Sequence, residues 1–272
     1  MLNVALVGLG HIGKLHLEIL SSLEELKVVA IIDTFPVENN LPVFSSIQKC
    51  HSVYPEIDLY VIATPNGFHF SQAKEILELK KNVLVEKPIA LHKNEVEELL
   101  IIAKKNNVRV FSSLQLRYSP VISHVKKLIQ ENTLGQIYLI NVECFWNRNE
   151  AYYKKSSWHG TMDTDGGILF TQFSHFLDIL FYLTGNLELS HKQTENFSHQ
   201  SSTEFADSGI LQFKSGKTLG SMVYTISTYE KNFESSITLI AENGTLKIGG
   251  QYMNQLLYQN IKGLDSSTIE CS

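Results

Sequence analysis

The sequence predicts two folded parts, an α/β domain on a parallel sheet followed by an α+β domain whose sheet is mostly antiparallel. Three observations carry that expectation. Up to Leu114, short apolar runs alternate with helix-period segments, the pattern of a doubly wound parallel sheet. Beyond it, long runs of strand formers are joined by hairpin turns. The length, 272 residues, suits two domains of ~100–200 residues each. The expected division is 1–114 and 115–272.

In the first part, strands are expected at residues 4–7, 28–33, 58–64, 82–86 and 108–112, all short and apolar. A helix over 70–80 aligns Ala73, Ile76 and Leu77, and another over 93–105 aligns Val96, Leu99, Leu100 and Ala103. Residues 34–55 are less regular, with room for a small helix at 45–52. In the second part, a helix at 120–131 leads through Gly135 into a strand at 136–146. A helix then spans 171–184, and hairpins fall at 214–217 and 242–244, the latter on an Asn-Gly turn. A final strand lies within 252–261.

Composition excludes several classes. The net charge of −5 and the lack of any Lys/Arg-rich run argue against nucleic-acid and membrane-surface partners. The first strand begins almost at Met1, leaving no room for a secretory leader, and no apolar run is long enough to span a bilayer. A cytoplasmic protein is the expectation. Cys50, Cys144 and Cys271 lack metal or redox spacing and read as incidental thiols, and no ligand cluster supports a metal.

The chemistry begins at Gly8-Leu9-Gly10-His11-Ile12-Gly13, set between a strand and a helix. Gly8 permits the tight turn, Gly10 lets backbone approach a pyrophosphate, and Gly13 lets helix and strand pack closely. Amides near His11 and Ile12 at the helix start would hold the phosphates. Asp33, twenty residues after Gly13, would accept hydrogen bonds from the adenosine ribose. Its carboxylate repels a 2′-phosphate, and Thr34-Phe35 offers no arginine to offset that, so NAD is expected over NADP. Two further motifs sit at strand carboxyl ends, where an open α/β sheet places its ligand: Thr64-Pro65-Asn66, and Glu86-Lys87-Pro88. Lys87, on a turn stiffened by proline, is a candidate for the reacting centre. In the second part Gly166-Gly167 releases a helix on which Thr171, His175 and Asp178 share one face.

With these motifs and Gln115-Leu116-Arg117-Tyr118-Ser119-Pro120, the chain resembles the family of glucose-fructose oxidoreductase, inositol dehydrogenase and the rhizopine-catabolism proteins. The resemblance covers nearly the whole chain. It implies an N-terminal Rossmann domain, NAD(P) as cofactor, and a second domain with a large open sheet whose outer face often mediates oligomerisation. A homodimer or homotetramer is the expected state. A narrower resemblance, in Phe145 to Asn149, Tyr152-Tyr153, Trp158 to Thr161 and the tail from Tyr229-Glu230-Lys231-Asn232 to Lys247-Ile248-Gly249-Gly250, is to the branch acting on UDP-N-acetylglucosamine-type sugars and their uronates in surface-polysaccharide pathways. In that setting Arg148 would pair a diphosphate or carboxylate, and Tyr152, Tyr153 and Trp158 would offer faces for stacking. Arg117 resembles a family position at the domain junction, suited to a salt bridge or a substrate contact.

The implied reaction oxidises a sugar ring hydroxyl, with His175 as proton acceptor and Lys87 orienting the hydroxyl, or with those roles exchanged. One departure stands out: many relatives carry an aspartate four residues before the histidine, where this chain has Thr171, followed by Gln172. Relatives also commonly continue past the point where this sequence stops. Two alternatives are an NAD-using glycosidase with internal redox and a catalytically silent dinucleotide-binding sensor.

Overall fold

The computed structural model describes residues 1–36, 39–250 and 252–264. Cys271 lies outside them. The chain forms two compact units: Met1–Ser113 with Asp163–Gly166, and Leu114–Met162 with the rest from Gly167 on.

In the first unit β1 (Leu2–Val7), β2 (Leu26–Ile32), β3 (Val43–Phe44), β4 (Leu59–Ile62), β5 (Asn82–Val85) and β6 (Val110–Ser112) form one sheet. Every pairing is parallel, in the order β3-β2-β1-β4-β5-β6. Side-chain alternation divides β1 between two cores. Val4 and Leu6 pack with Leu20 of α1 (His11–Ser22) on one face. Ala5 and Val7 share the other with α2 (Ile47–Val53), α3 (His69–Glu78) and α4 (Lys93–Asn106). Three strands stop short of their sequence-predicted ends, because Asp33, Thr64 and Glu86 already turn into the loops at the carboxyl edge. The strand β3 was not expected; Ile31 N–H to Pro42 O and Asp33 N–H to Phe44 O hold it, and pairing with a distant segment leaves no local sequence signal. On α4, Leu99 and Ala103 are buried and Val96 is half-buried, but Leu100 is 55% exposed. It lies one residue, about 100°, beyond the face that Leu99 centres.

In the second unit α5 (Pro120–Gln130) precedes β7 (Ile137–Phe145), the central strand. Short α6 (Glu150–Lys154) and α7 (Ile168–Thr171) lead to α8 (Ser174–Thr184). After it come β8 (Glu188–Glu195), β9 (Ser208–Ser215), β10 (Thr218–Thr225), β11 (Glu234–Ala241), β12 (Gly244–Gly249) and β13 (Gln255–Ile261). The seven strands run β13-β12-β11-β7-β10-β9-β8, antiparallel except where β7 meets β10. Ile140, Val142 and Cys144 of β7 face α5 and α8 in one core with Ile122, Val125, Phe176 and Leu180. On the opposite face Leu139, Ile210, Leu219 and Ile240 are exposed.

The helix expected over 171–184 is two helices. Phe173 N–H bonds to Ile168 O, a wide turn that ends α7 at Thr171 and buries Gln172 and Phe173. Thr171 therefore does not share a continuous helix with His175 and Asp178. Its spacing of four from His175 sets no common face, because that rule needs unbroken α-geometry.

A buried polar knot braces the β8–β9 connection. His199 Nδ1 lies 2.9 Å from Asp207 Oδ2 and His199 Nε2 lies 2.5 Å from Arg148 O. Burial would raise the Asp207 pKa, but His199 and the amides of Ser198 and Phe197, with the Ser208 hydroxyl, hold it well below the carboxylate range. A depressed folded pKa contributes stability that is complete above the unfolded value of about 4 and is lost as pH falls below it. Urea unfolding of wild type should lose stability on acidification below about pH 4. Asp207→Ala should cost about 3 kcal/mol at neutral pH, the scale for breaking a buried pair, and should flatten that acid limb.

Candidate functional site

At the carboxyl edge of the first sheet, the three fingerprint glycines have different reasons to be glycine. Gly8 has φ +89°, and a Cβ there would lie 2.9 Å from Ala63 O. A Cβ on Gly13 would lie 2.0 Å from Gly8 O, so α1 packs on the loop backbone itself. A Cβ on Gly10 would meet nothing within 4 Å. Gly10 is also the N-cap of α1 and makes no side-chain cap bond, leaving first-turn amides to face a ligand. Asp33 Oδ2 accepts the Leu9 N–H at 2.8 Å, and Oδ1 accepts the Phe35 N–H at 2.9 Å. Each carboxylate oxygen keeps a lone pair for a ribose hydroxyl. Open space at Gly10, a helix N-terminus and a fixed carboxylate fit a dinucleotide.

The loops after β4 and β5 are cross-tied. Thr64 Oγ1 donates to Gln72 Oε1 at 2.7 Å. Asn66 Nδ2 donates to Asp165 O at 2.8 Å and Gly67 N–H to Thr164 O at 3.0 Å, which joins residues 163–166 to this unit. Pro65 precedes the 3₁₀ turn Asn66–Phe68, and Lys87 precedes Pro88 through a cis peptide bond. Glu86 Oε1 lies 2.7 Å from His16 Nε2, and Oε2 accepts the Lys87 N–H at 3.1 Å. Burial would raise the Glu86 pKa; His16, Ser113 and the Lys87 amide hold it below its ordinary value. The Glu86 carboxylate thus braces the Lys87 turn against α1. Sequence reasoning missed His16 and the buried His69. The available signals were a histidine one turn after Gly13 and another four residues after Pro65.

In the second unit the 3₁₀ turn Gln115–Tyr118 packs on α8. Arg117 grips Asp178 with two hydrogen bonds, 2.8 and 2.5 Å, and its guanidinium lies 5.1 Å from the Tyr182 ring centre. Asp178 raises the Arg117 pKa above its ordinary value. That bidentate pair holds the turn so that Gln115 Nε2 reaches within 3.5 Å of His175 Nε2. Arg148 lies between the Trp146 and Tyr152 rings, 4.9 and 5.3 Å from their centres, with Nη1 donating to Asn147 O and Asn232 Oδ1. Gln172 Nε2 donates to the Tyr152 hydroxyl at 3.2 Å, and the Tyr152 ring stacks on His159 at 4.5 Å. Trp158 adds its ring 3.8 Å from His159. Gln172 Oε1 is buried and has no hydrogen-bond partner among the described residues. The structure therefore gathers Arg148, Tyr152, Trp158 and Gln172 into one cluster, and Arg117, His175 and Asp178 into another. Among the described residues no group of three or more His, Cys, Asp or Glu side chains is arranged to hold a metal.

A dinucleotide cradle on a parallel sheet, followed by an α+β unit carrying a histidine helix, defines a nucleotide-dependent oxidoreductase architecture. The chain belongs to the GFO/IDH/MocA family. Residues 2–114 match its oxidoreductase NAD-binding Rossmann fold, and residues 122–247 match its C-terminal domain. The WlbA dehydrogenase of Bordetella pertussis, solved with NADH and UDP-GlcNAcA, is 30% identical with a TM-score of 0.92 over 97% of this chain and 78% of that one. A 2,7-anhydro-N-acetylneuraminate hydratase of Escherichia coli is 25% identical over 95% of this chain and 73% of its own. An uncharacterized oxidoreductase of Synechocystis is 27% identical over 68% of this chain and 52% of its own. The chain spans about half the length of the first curated relatives it matches.

The glycines make a separable prediction. Gly13→Ala should destabilise the protein by about 1–3 kcal/mol, since backbone must move to admit the methyl group. Gly10→Ala, at an ordinary φ of −70°, should change stability by less than about 0.5 kcal/mol. It should nevertheless weaken NADH binding about tenfold or more by filling the space above the helix terminus. Urea unfolding and fluorescence titration with NADH read the two effects independently.

Proposed function

We propose that the protein is an NAD-dependent oxidoreductase that oxidises a ring hydroxyl of a sugar, and that the sugar is a UDP-N-acetylhexosamine or its uronate. The observation that carries the redox reading is the presence, at one edge of one sheet, of an open dinucleotide cradle and of Lys87 on a cross-tied turn. Similarity over 97% of the chain to a dehydrogenase solved with NADH and UDP-GlcNAcA supports the substrate class.

Bound NAD supplies a hydride acceptor. A sugar alcohol is a weak acid, so the protein must place a base and offset the negative charge that develops on oxygen. Lys87 orients the hydroxyl and offers its charge to that oxygen. His175 receives the proton, steadied by Gln115 and by a helix that the Arg117–Asp178 pair anchors. Asp178 is an anchor in this scheme and not a proton carrier, because its carboxylate is engaged with Arg117. Thr171 brings no carboxylate to tune His175. Gln172, with its open acceptor, Tyr152, Trp158 and Arg148 would recognise the sugar and its anionic groups. The exposed apolar residues on the outer face of the second sheet support association of copies of this chain there into a dimer or tetramer. No helix among the described residues is long and apolar enough to cross a membrane.

A second reading is an enzyme that oxidises and then re-reduces its sugar around a non-redox step, favoured by the similarity to the E. coli hydratase. Net NADH release separates the two. NADH absorbance, followed with NAD and a panel of UDP-N-acetylhexosamines and uronates, with and without 2-oxoglutarate, should rise with one nucleotide sugar. No change across the panel in a protein that binds NADH would sink the nucleotide-sugar assignment and leave a different sugar, the internal-redox enzyme or the silent sensor. Lys87→Ala and His175→Ala should each lower kcat by about a hundredfold or more. NADH affinity should stay within about threefold, because neither role is in ground-state cofactor binding. Wild-type turnover in either variant removes that residue from the mechanism.

A further inference from the structure

His69 has no part in the scheme above, yet it is fully buried at the ligand edge of the first sheet. It opens α3, directly after the Asn66–Phe68 turn. Its two ring nitrogens reach two different loops. Nε2 lies 2.8 Å from the carbonyl oxygen of Thr64, past the end of β4. Nδ1 lies 2.7 Å from the carbonyl oxygen of Pro88, past the end of β5. The β4–β5 ladder ends at the Ile62 and Val85 pair, with one further bond from Glu86 N–H to Ile62 O. The imidazole continues the connection where the ladder stops. Each ring nitrogen lies within hydrogen-bond distance of a backbone carbonyl oxygen, one on each loop.

We propose that His69 is a positioning residue whose ring clamps the Thr64 loop to the Pro88 turn and thereby sets where Lys87 stands relative to Thr64, Pro65 and Asn66. The inference rests on the reading that Lys87 takes part in the reaction. Pro88 follows Lys87 directly, so a held Pro88 carbonyl limits how far the lysine backbone can shift. Glu86 pins the other side of Lys87 through its amide and through His16. The lysine thus stands between two braces, one from α1 and one from α3.

The proton inventory gives the clamp its chemistry. Both partners are carbonyl oxygens, which only accept, so both contacts are hydrogen bonds when the ring carries two protons. Burial pulls the His69 pKa below its ordinary value; the Pro88 and Thr64 carbonyls and the Glu86 carboxylate act against burial, and the Lys87 charge acts with it. A neutral ring keeps one bond and turns a lone pair toward the other carbonyl, which loosens one loop.

The test uses His69→Phe, which fills the same space without donors, and His69→Gln, which keeps a single amide donor group. The first readout is independent of turnover: the NMR resonance of 13C-dimethylated Lys87, assigned with Lys87→Arg, in the free and NADH-bound protein. The second is a double-mutant cycle on kcat with Lys87→Ala. The Lys87 resonance should shift in both His69 variants while NADH affinity stays within about threefold. The kcat should fall by about tenfold or more in the Lys87 background and by no more than about twofold in Lys87→Ala, since a misplaced group costs rate only where that group acts. An unmoved Lys87 resonance in a folded variant, or losses that multiply in the double variant, overturns the proposal. So does failure of both His69 variants to fold, which would assign the ring to stability alone. Should Lys87→Ala prove fully active, the catalytic reading of Lys87 falls, and the resonance still decides whether His69 clamps the turn.

Discussion

The approach of Gly13 to the Gly8 carbonyl governs the first unit, because α1 can start where it does only if no side chain stands between helix and loop. From that contact follow the direction of the helix N-terminus, the open space beside Gly10 and the placement of Leu9, whose amide Asp33 holds. Packing this close leaves one arrangement, since interiors yield little to even a single methyl group. The cradle is therefore built before any ligand arrives. Binding then loses little to reorganisation.

A parallel sheet ends in loops that its own ladder does not hold, and this protein ties them with polar side chains, fully buried at His69 and half-buried at Asp33, His16 and Glu86. Asp33, His69 and the Glu86–His16 pair each join two segments far apart in sequence. Such bonds are costly to leave half-made in a low-dielectric interior, which makes them effective at specifying one geometry. The Glu86 carboxylate and the His69 ring act on the loops that surround a ligand.

The second unit uses the same economy on a helix. A bidentate Arg117–Asp178 pair, with Tyr182 beneath the guanidinium, fastens a 3₁₀ turn to α8 and sets Gln115 beside His175. The geometry is the one for which arginine, and not lysine, is suited. The break between α7 and α8 buries Gln172 where a continuous helix would have carried it round with the others, and so brings its amide to the Tyr152 hydroxyl.

The amino-acid sequence by itself determined the two-part architecture, the strand and helix alternation, the glycine turn and the positions of Lys87 and His175 along the chain. Those features depend on period, on turn chemistry and on residues near one another in sequence, so they are legible without a fold. Tertiary structure decided the rest. Whether Leu100 is buried depends on how α4 is rotated on its sheet, and whether Thr171 shares a face with His175 depends on a wide turn fixed by the burial of Gln172 and Phe173. That His16, His69 and Asp178 are braces depends on partners 70, 19 and 61 residues away. Hydrogen bonds between such distant residues carry no periodic trace, because only the folded backbone brings donor and acceptor within 3 Å of each other.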